Sequence, residues 1–185
     1  MMKEAEILQE GKILIYPTDT IWGIGCDALN VSAIERIKEI KGRDKSKSFI
    51  VLVKDIQMLQ EYVEHLLQKA IDLIEENEKK HIPTTILYKD IKLLPLENLS
   101  SNDYLGIRIA KTDFLQRLFC AYPYPIVSSS ANFSGSPSPR NFSEIDKDFL
   151  AKADYVSLEQ REETHKSNPS SIFIIKDNNN IEQIR

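Results

Sequence analysis

Three polar segments of this 185-residue sequence carry residue types that suit the binding of a charged small molecule. The first is basic, because Lys41-Gly42-Arg43 is followed shortly by Lys47. Arginine offers phosphate oxygens a planar fork of donors and lysine a compact point charge, so this segment could hold a polyphosphate. The alternative is that Lys41 complements the dipole of a preceding helix and the other cations form a solvated face.

The second segment follows a short apolar run and reads Ser128-Ser129-Ser130-Ala131-Asn132. Hydroxyl and amide groups at the carboxyl end of a strand suit hydrogen bonding to a small ligand in open α/β sheets. An ordinary turn rich in serine and asparagine has the same composition and is the alternative interpretation.

The third segment is Tyr16-Pro17-Thr18-Asp19-Thr20, which leads into Gly23 and Gly25. Closely spaced glycines allow a backbone to approach a ligand, and paired threonines supply hydroxyl groups. This segment therefore suits the wall of a pocket, and the alternative is an ordinary strand–turn–strand connection.

Several other chemistries have no motif in the sequence. A P-loop, a dinucleotide fingerprint and a GxSxG nucleophile elbow are all absent. The histidines, which are His65, His81 and His165, lack metal-ligand spacing, so we expect no metal site of the protein's own. Cys26 and Cys120 lie far apart and are expected to be free thiols in a reducing compartment.

Composition places the chain among soluble globular proteins, with 42% hydrophobic and 28% charged residues. Its formal net charge of −4 argues against wholesale wrapping of nucleic acid but leaves room for a local basic site. The first residues carry glutamates where a signal peptide needs an apolar run, and no stretch approaches the ~20 apolar residues of a membrane span. We therefore expect a soluble, cytoplasmic protein without membrane contact.

Hydrophobic periodicity predicts helices and strands mixed along one chain, hence a single α/β domain over residues 1–185. The predicted strands cover 12–16, 21–26, 49–53, 84–88, 105–110, 126–128, 155–158, 171–176 and 181–185. The predicted helices cover 2–10, a segment ending at Gly42, 57–80, 113–119 and 143–153. The helix before Gly42 is expected to begin at a capping box, Ser32 to Glu35, and the helix at 113 to be capped by Thr112.

Taken together, the three segments resemble the TsaC/YrdC family, the threonylcarbamoyl-AMP synthases. YPTDTIWGIGCDALN is similar to the opening motif of the family, IKEIKGR to its K-x-R signature, and IVSSSANFSGSPSP to its S-A-N stretch. Their order and spacing also fit, and the resemblance runs from about Gly11 to the carboxyl end. It implies an α/β (α+β) domain with one twisted mixed sheet of the YrdC-like type and an open, basic, concave face.

The resemblance also implies an activity, which is the formation of threonylcarbamoyl-AMP and pyrophosphate from L-threonine, bicarbonate and ATP. Mg²⁺ would accompany the ATP. Lys41 and Arg43 would be the catalytic cations. ATP would be bound by Lys41, Arg43, Lys47, Ser130, Asn132 and Ser138. Threonine would be bound by Thr18, Thr20, Arg108, Ser128 and Ser170, with Arg108 on its carboxylate.

The product of such an enzyme would pass to a threonylcarbamoyl-transferase complex that modifies tRNA. Asp44, Ser48 and Leu52 depart from the usual pattern of the family. Two alternatives follow: a YciO-like nucleotide-binding protein without synthase activity, and a module that binds tRNA or double-stranded RNA on its basic face. YciO-like paralogues tend to lose the K-x-R and S-A-N signatures, which this chain keeps, and the HypF carbamoyl-transfer enzymes are much longer.

Overall fold

One mixed sheet organises the fold, which is taken from a computed structural model that describes residues 2–42, 47–163 and 169–185. Nine strands of the described residues are arranged in the order β7-β1-β2-β6-β3-β5-β4-β8-β9. Three neighbouring pairs are parallel, β1 with β7, β3 with β5 and β4 with β8, and the other pairs are antiparallel. The predicted mixed α/β sheet is therefore confirmed.

The strands have the following bounds: β1 Leu14–Tyr16, β2 Gly23–Gly25, β3 Ile50–Val53, β4 Thr84–Tyr88, β5 Leu105–Ile109, β6 Ile126–Ser130, β7 Tyr155–Val156, β8 Ser171–Ile175 and β9 Ile181–Gln183. The helices are α1 Lys3–Gln9, α2 Val31–Lys41, α3 Ile56–Tyr62, α4 Gln68–Lys79, α5 Leu96–Leu99, α6 Asp113–Ala121 and α7 Lys147–Leu150. In the described ranges no helix is long and apolar enough to cross a membrane.

The two faces of the central sheet differ in polarity, because successive side chains of a strand point to opposite faces. One face carries a row of paired apolar side chains, Val127, Val51, Ile107 and Ile86, each at most 2% exposed. The opposite face carries the paired positions Ser128–Ile50 and Arg108–Thr85. Polar groups are therefore brought together on one face of the sheet, over its centre.

Helix α2 ends as predicted but begins earlier. Gly42 lies in the left-handed region at φ 55°, a conformation that suits glycine at a helix end. The predicted capping box at Ser32 is wrong, because Asn30 is the cap and its Oδ1 accepts from the Ala33 amide at 3.1 Å. Helix α6 has the predicted Thr112 cap.

Two predicted helices are interrupted by backbone and capping contacts, which the hydrophobic periodicity of the sequence does not indicate. The helix predicted over 57–80 is divided into α3 and α4, because Val63 pairs with Ile91 and the Glu64 amide donates to Asp90 O at 2.8 Å. The helix predicted over 143–153 is only a 3-10 turn followed by α7, because the side chain of Asp146 caps a new start.

Candidate functional site

A small cavity of about 60 Å³ lies on the polar face of the sheet, where β2, β3, β5 and β6 meet the segment that precedes β8. All five residues predicted for threonine line it: Thr18, Thr20, Arg108, Ser128 and Ser170. Ser130, predicted for ATP, lines it as well, because β6 extends two residues beyond its predicted end. Residues more than 100 positions apart thus share one recess.

The turn between β1 and β2 is held by its own threonine hydroxyls. Thr18 Oγ1 accepts from the Thr20 amide at 3.0 Å and lies 2.9 Å from Thr20 Oγ1 and 2.8 Å from Ile21 O. Gly23 lies beside this turn, and a Cβ at that position would stand 3.1 Å from Ser128 Oγ. The glycine therefore leaves the Ser128 hydroxyl accessible from the cavity.

Arg108 places a buried positive charge in the cavity. Its side chain is 4% exposed, and its Nη2 lies 3.1 Å from Oδ1 of Asp19, whose side chain is 14% exposed. A buried charge is tolerated when it is paired, and Asp19 supplies that pairing. Within the described ranges Arg108 Nε has no hydrogen-bond partner, so a donor of the guanidinium remains for an incoming acceptor.

A second guanidinium reaches the same cavity from the carboxyl-terminal hairpin. Arg185 donates from Nε and Nη2 to Ser170 O, at 3.2 and 3.0 Å. Burial and the nearby charge of Arg108 lower the pKa of Arg185 below its usual value. Ser170 Oγ lies 2.8 Å from Thr85 Oγ1 and so connects this hairpin to the sheet. Two arginines and one aspartate give the recess an excess of positive charge, which suits an anionic ligand.

Asp19 and Arg185 were not predicted as site residues. Asp19 was visible in the YPTDT motif, but no pattern in the sequence says which cation it meets. Arg185 had no signal at all, since its position depends on the β8–β9 hairpin lying next to β4.

The residues predicted for ATP are brought together only in part. Lys41 is 3% exposed, and its Nζ donates to Ser130 O at 2.5 Å and to Asn132 O at 2.7 Å. The assignment of Lys41 to the ATP phosphates stays a prediction, and in this structure its ammonium contacts backbone carbonyls at the end of β6 and just after it.

Asn132 also uses its side chain within the protein. Its Nδ2 donates to Phe133 O at 2.9 Å and to Ser136 O at 2.7 Å. Ser138 and Lys47 are exposed and are not among the residues that line the small cavity. Arg43, the other predicted catalytic cation, lies outside the described residues.

The basic residues that the sequence shows between Arg36 and Lys47 lie in different environments. Arg36 forms a bidentate pair with Asp154 at 2.5 and 2.9 Å, which lowers the pKa of that carboxyl. Lys38 lies 2.7 Å from Glu35 on the same helix. The described basic residues therefore contact different groups and do not act as one cluster.

A larger cavity of about 470 Å³ lies beside Asp19, at the end of β5 and under α4. Its walls are mainly apolar, with Ile74, Ile82 and Pro83, and none of the predicted site residues lines it. This cavity is larger than the first, but the hydrogen-bonding groups predicted for the ligand, together with Arg108 and Arg185, converge in the smaller one. In the described ranges no group of three or more metal-ligating side chains is found.

Replacing the cysteines tests whether a thiol of the protein acts as a covalent nucleophile. Cys26 is fully buried and burial raises the pKa of its thiol, so it stays protonated near neutral pH, while Cys120 is exposed. We expect the double change to alanine to leave the turnover rate within a few-fold, with a loss of about 1 kcal/mol in unfolding free energy from the smaller side chain at Cys26. Loss of activity in a folded double variant would contradict this.

Comparison with known proteins identifies the family of this chain. The model of the Sua5/YciO/YrdC family, described as "Telomere recombination", matches residues 6–185. A relative from Methanocaldococcus jannaschii is 36% identical over 174 residues, covering 93% of this chain and 78% of its own length, and is provisionally named a threonylcarbamoyl-AMP synthase. A protein named threonylcarbamoyl-AMP synthase from Xanthomonas axonopodis pv. citri is 30% identical over 155 residues, covering 80% of each chain.

Solved structures show the same fold at lower sequence identity. Sua5 of P. abyssi, solved in complex with L-threonine, is 23% identical with a TM-score of 0.84 over 99% of this chain, which spans about half (52%) of that protein. YciO of E. coli is also 23% identical, with a TM-score of 0.82 over 99% of this chain and 86% of its own. Fold alone thus does not separate the two kinds of relative.

Proposed function

We propose, because this chain belongs to the Sua5/YciO/YrdC family, that it is a threonylcarbamoyl-AMP synthase that uses L-threonine, bicarbonate and ATP. The observation that carries the proposal is the small cavity, which is lined by all five residues predicted for threonine, including the buried Arg108. The names of the sequence relatives support the same activity. The RNA-binding alternative would not explain the buried polar residues of the cavity, such as Arg108 and Ser128.

Threonine recognition follows from the charges of the cavity. Arg108 is placed to receive the carboxylate, because its Nε has no partner among the described residues and its guanidinium offers a fork of donors. The hydroxyls of Ser128, Thr20 and Ser170 line the same recess and suit the remaining polar groups of the amino acid. Arg185 adds positive charge on the side where a carbamate anion would form.

The chemistry needs no nucleophile from the protein. The threonine amine adds to bicarbonate with loss of water and gives a carbamate, which is already anionic. A carbamate oxygen then attacks the α-phosphorus of ATP in line, a new P–O bond forms, and the bond to the β-phosphate bridge breaks to release pyrophosphate. Negative charge grows on the phosphoryl oxygens, where nearby cations stabilise it.

We assign that stabilising charge to Arg43 and Lys47, which follow the end of α2. Lys41 belongs to the same signature, but its ammonium contacts backbone carbonyls. The loop after β6, with Ser130, Asn132 and Ser138, is assigned to the nucleotide.

Mg²⁺ enters this proposal together with ATP. It binds phosphate oxygens and keeps several waters in most nucleotide sites, so it does not require a cage of protein carboxylates. The carboxylate of Asp19 is paired with Arg108, so we do not assign it to the metal. The product would be used by a threonylcarbamoyl-transferase complex that modifies tRNA, in the cytoplasm.

Pyrophosphate release tests the proposed function directly. We expect release only when L-threonine, bicarbonate and ATP are all present with Mg²⁺, because carbamate formation must precede attack on ATP. Each component is omitted in turn, and pyrophosphate is measured by a coupled assay while threonylcarbamoyl-AMP is measured by mass spectrometry. A chain that binds ATP but releases no pyrophosphate in any combination would support the YciO-like alternative.

A further inference from the structure

We propose that Lys41 is a positioning residue, whose buried ammonium sets the shape of the loop that follows β6, and not a ligand of the ATP phosphates. The loop in question comprises residues 130–136. The proposal rests on the proposed function, because the loop is taken to hold the nucleotide. It assigns the lysine of the signature a task distinct from that of Arg43.

The ammonium of Lys41 lies between two backbone carbonyls and an aromatic ring. It donates to Ser130 O at 2.5 Å and to Asn132 O at 2.7 Å, and it stands 5.6 Å from the ring centroid of Phe149. The residue is 3% exposed, and its aromatic neighbour is fully buried. Lys41 also borders an open groove that is lined by Gly42 and Phe133, but its ammonium donates to the two carbonyls.

Contacts between α2 and the loop run in both directions. The Ser134 amide donates to Lys41 O at 2.8 Å, so backbone and side chain of this lysine both bind the loop. The Asn132 side chain completes the arrangement from within, since its Nδ2 donates to the carbonyls of Phe133 and Ser136. The side chains of Lys41 and Asn132 therefore both donate hydrogen bonds to carbonyls of the same loop.

A cation explains how this loop conformation is stable. Two carbonyl oxygens that converge on one point repel each other, and an apolar side chain there would leave both without the ammonium, with Ser130 O keeping only its hydrogen bond from the Asn132 amide at 2.9 Å. One ammonium satisfies both and is itself compensated, which makes its burial tolerable. Gly42 then ends the helix in a left-handed conformation, which suits glycine.

Binding of nucleotides that differ only in phosphate number separates the two roles. We would measure the Kd of adenosine, AMP and ATP for the wild type, Lys41→Met and Lys41→Gln, with Lys38→Met as the matched control on the same helix. If Lys41 acts through the loop, Lys41→Met weakens all three nucleotides by a similar factor of roughly ten, the worth of a hydrogen bond to a charged group. Lys41→Gln keeps two donors for the carbonyls and should remain within about threefold of the wild type by the same reasoning.

A loss that grows from adenosine to AMP to ATP, in either variant, would overturn the proposal, and so would unchanged binding in Lys41→Met. If Lys41→Met does not fold, Lys41→Gln alone tests the proposal. This variant lacks the positive charge, so a direct contact with phosphates would still make its loss of affinity grow with phosphate number.

A second measurement does not depend on nucleotide binding. We expect amide hydrogen exchange of residues 131–134 to accelerate in Lys41→Met, to remain near the wild-type rate in Lys41→Gln, and to be unchanged in Lys38→Met. Equal exchange in the wild type and Lys41→Met would refute the positioning role. If the wild type binds none of the three nucleotides, the proposed function fails, and the exchange result still decides the role of Lys41.

Discussion

Replacement of Arg108 by alanine is expected to raise the KM for threonine roughly tenfold or more and to leave the KM for ATP nearly unchanged. A charge-assisted bidentate contact with a carboxylate is worth about 1.5–3 kcal/mol, which sets the size of the change. Arg108 is a buried cation of the cavity and its Nε has no hydrogen-bond partner in the described chain, which supports the proposal that it receives the carboxylate of the substrate. Steady-state rates of pyrophosphate release, with each substrate varied in turn, give both constants.

Two controls separate recognition from damage to the fold. Removal of Arg108 leaves the carboxylate of Asp19 without its cation, which lowers stability, so thermal unfolding is measured in parallel and Arg108→Lys retains the charge without the fork. The sharper control is 1-aminopropan-2-ol, which is threonine without its carboxylate, used as a competitive inhibitor. Its inhibition constant should be the same in the wild type and in Arg108→Ala. Equal losses for threonine and this amine would show that the cavity has collapsed.

Replacement of Arg43 by alanine is expected to lower kcat by about 30- to 1000-fold, equivalent to about 2–4 kcal/mol of transition-state stabilisation. On the proposed function, Arg43 is the signature cation assigned to the phosphates, since Lys41 donates to carbonyls at the end of β6 and just after it. Arg43→Lys should also be impaired, because a planar fork becomes a point charge. Single-turnover measurements at saturating ATP isolate the chemical step.

Lys38→Ala is the matched control for this prediction and should cost less than about threefold, since its pair with Glu35 lies at the surface. Arg36→Ala is a poorer control, because Arg36 connects α2 to Asp154, which also accepts from the Ile13 amide at 2.7 Å. If Lys38→Ala and Arg43→Ala reduced the rate by similar small factors that shrank with added salt, the basic segment would be a general electrostatic patch. The RNA-binding alternative would then be favoured.

Local patterns in the sequence predicted those elements whose stability is itself local. The apolar run 49–53 became the buried strand β3, Thr112 became a helix cap, and Gly42 ended α2. Where distant backbone groups competed, as at Val63 with Ile91, the periodicity of the helix was outweighed and the prediction was wrong. A hydrophobic pattern reports that a residue is buried, but not which residue it meets.

The sequence by itself predicted the mixed α/β class and the five residues assigned to threonine binding, which line the small cavity. Thr18, Thr20 and Ser128 lie in the signature segments, and the family resemblance implied Arg108 and Ser170. Only the tertiary structure decided the partner of each charge. Lys41 and Ser130 are 89 positions apart, and the ammonium reaches that carbonyl because α2 packs where β6 ends. Arg108 likewise meets Asp19 through the position of the β1–β2 turn. The partner of a buried charge depends on contacts between elements distant in sequence, and no local pattern of residue types encodes those contacts.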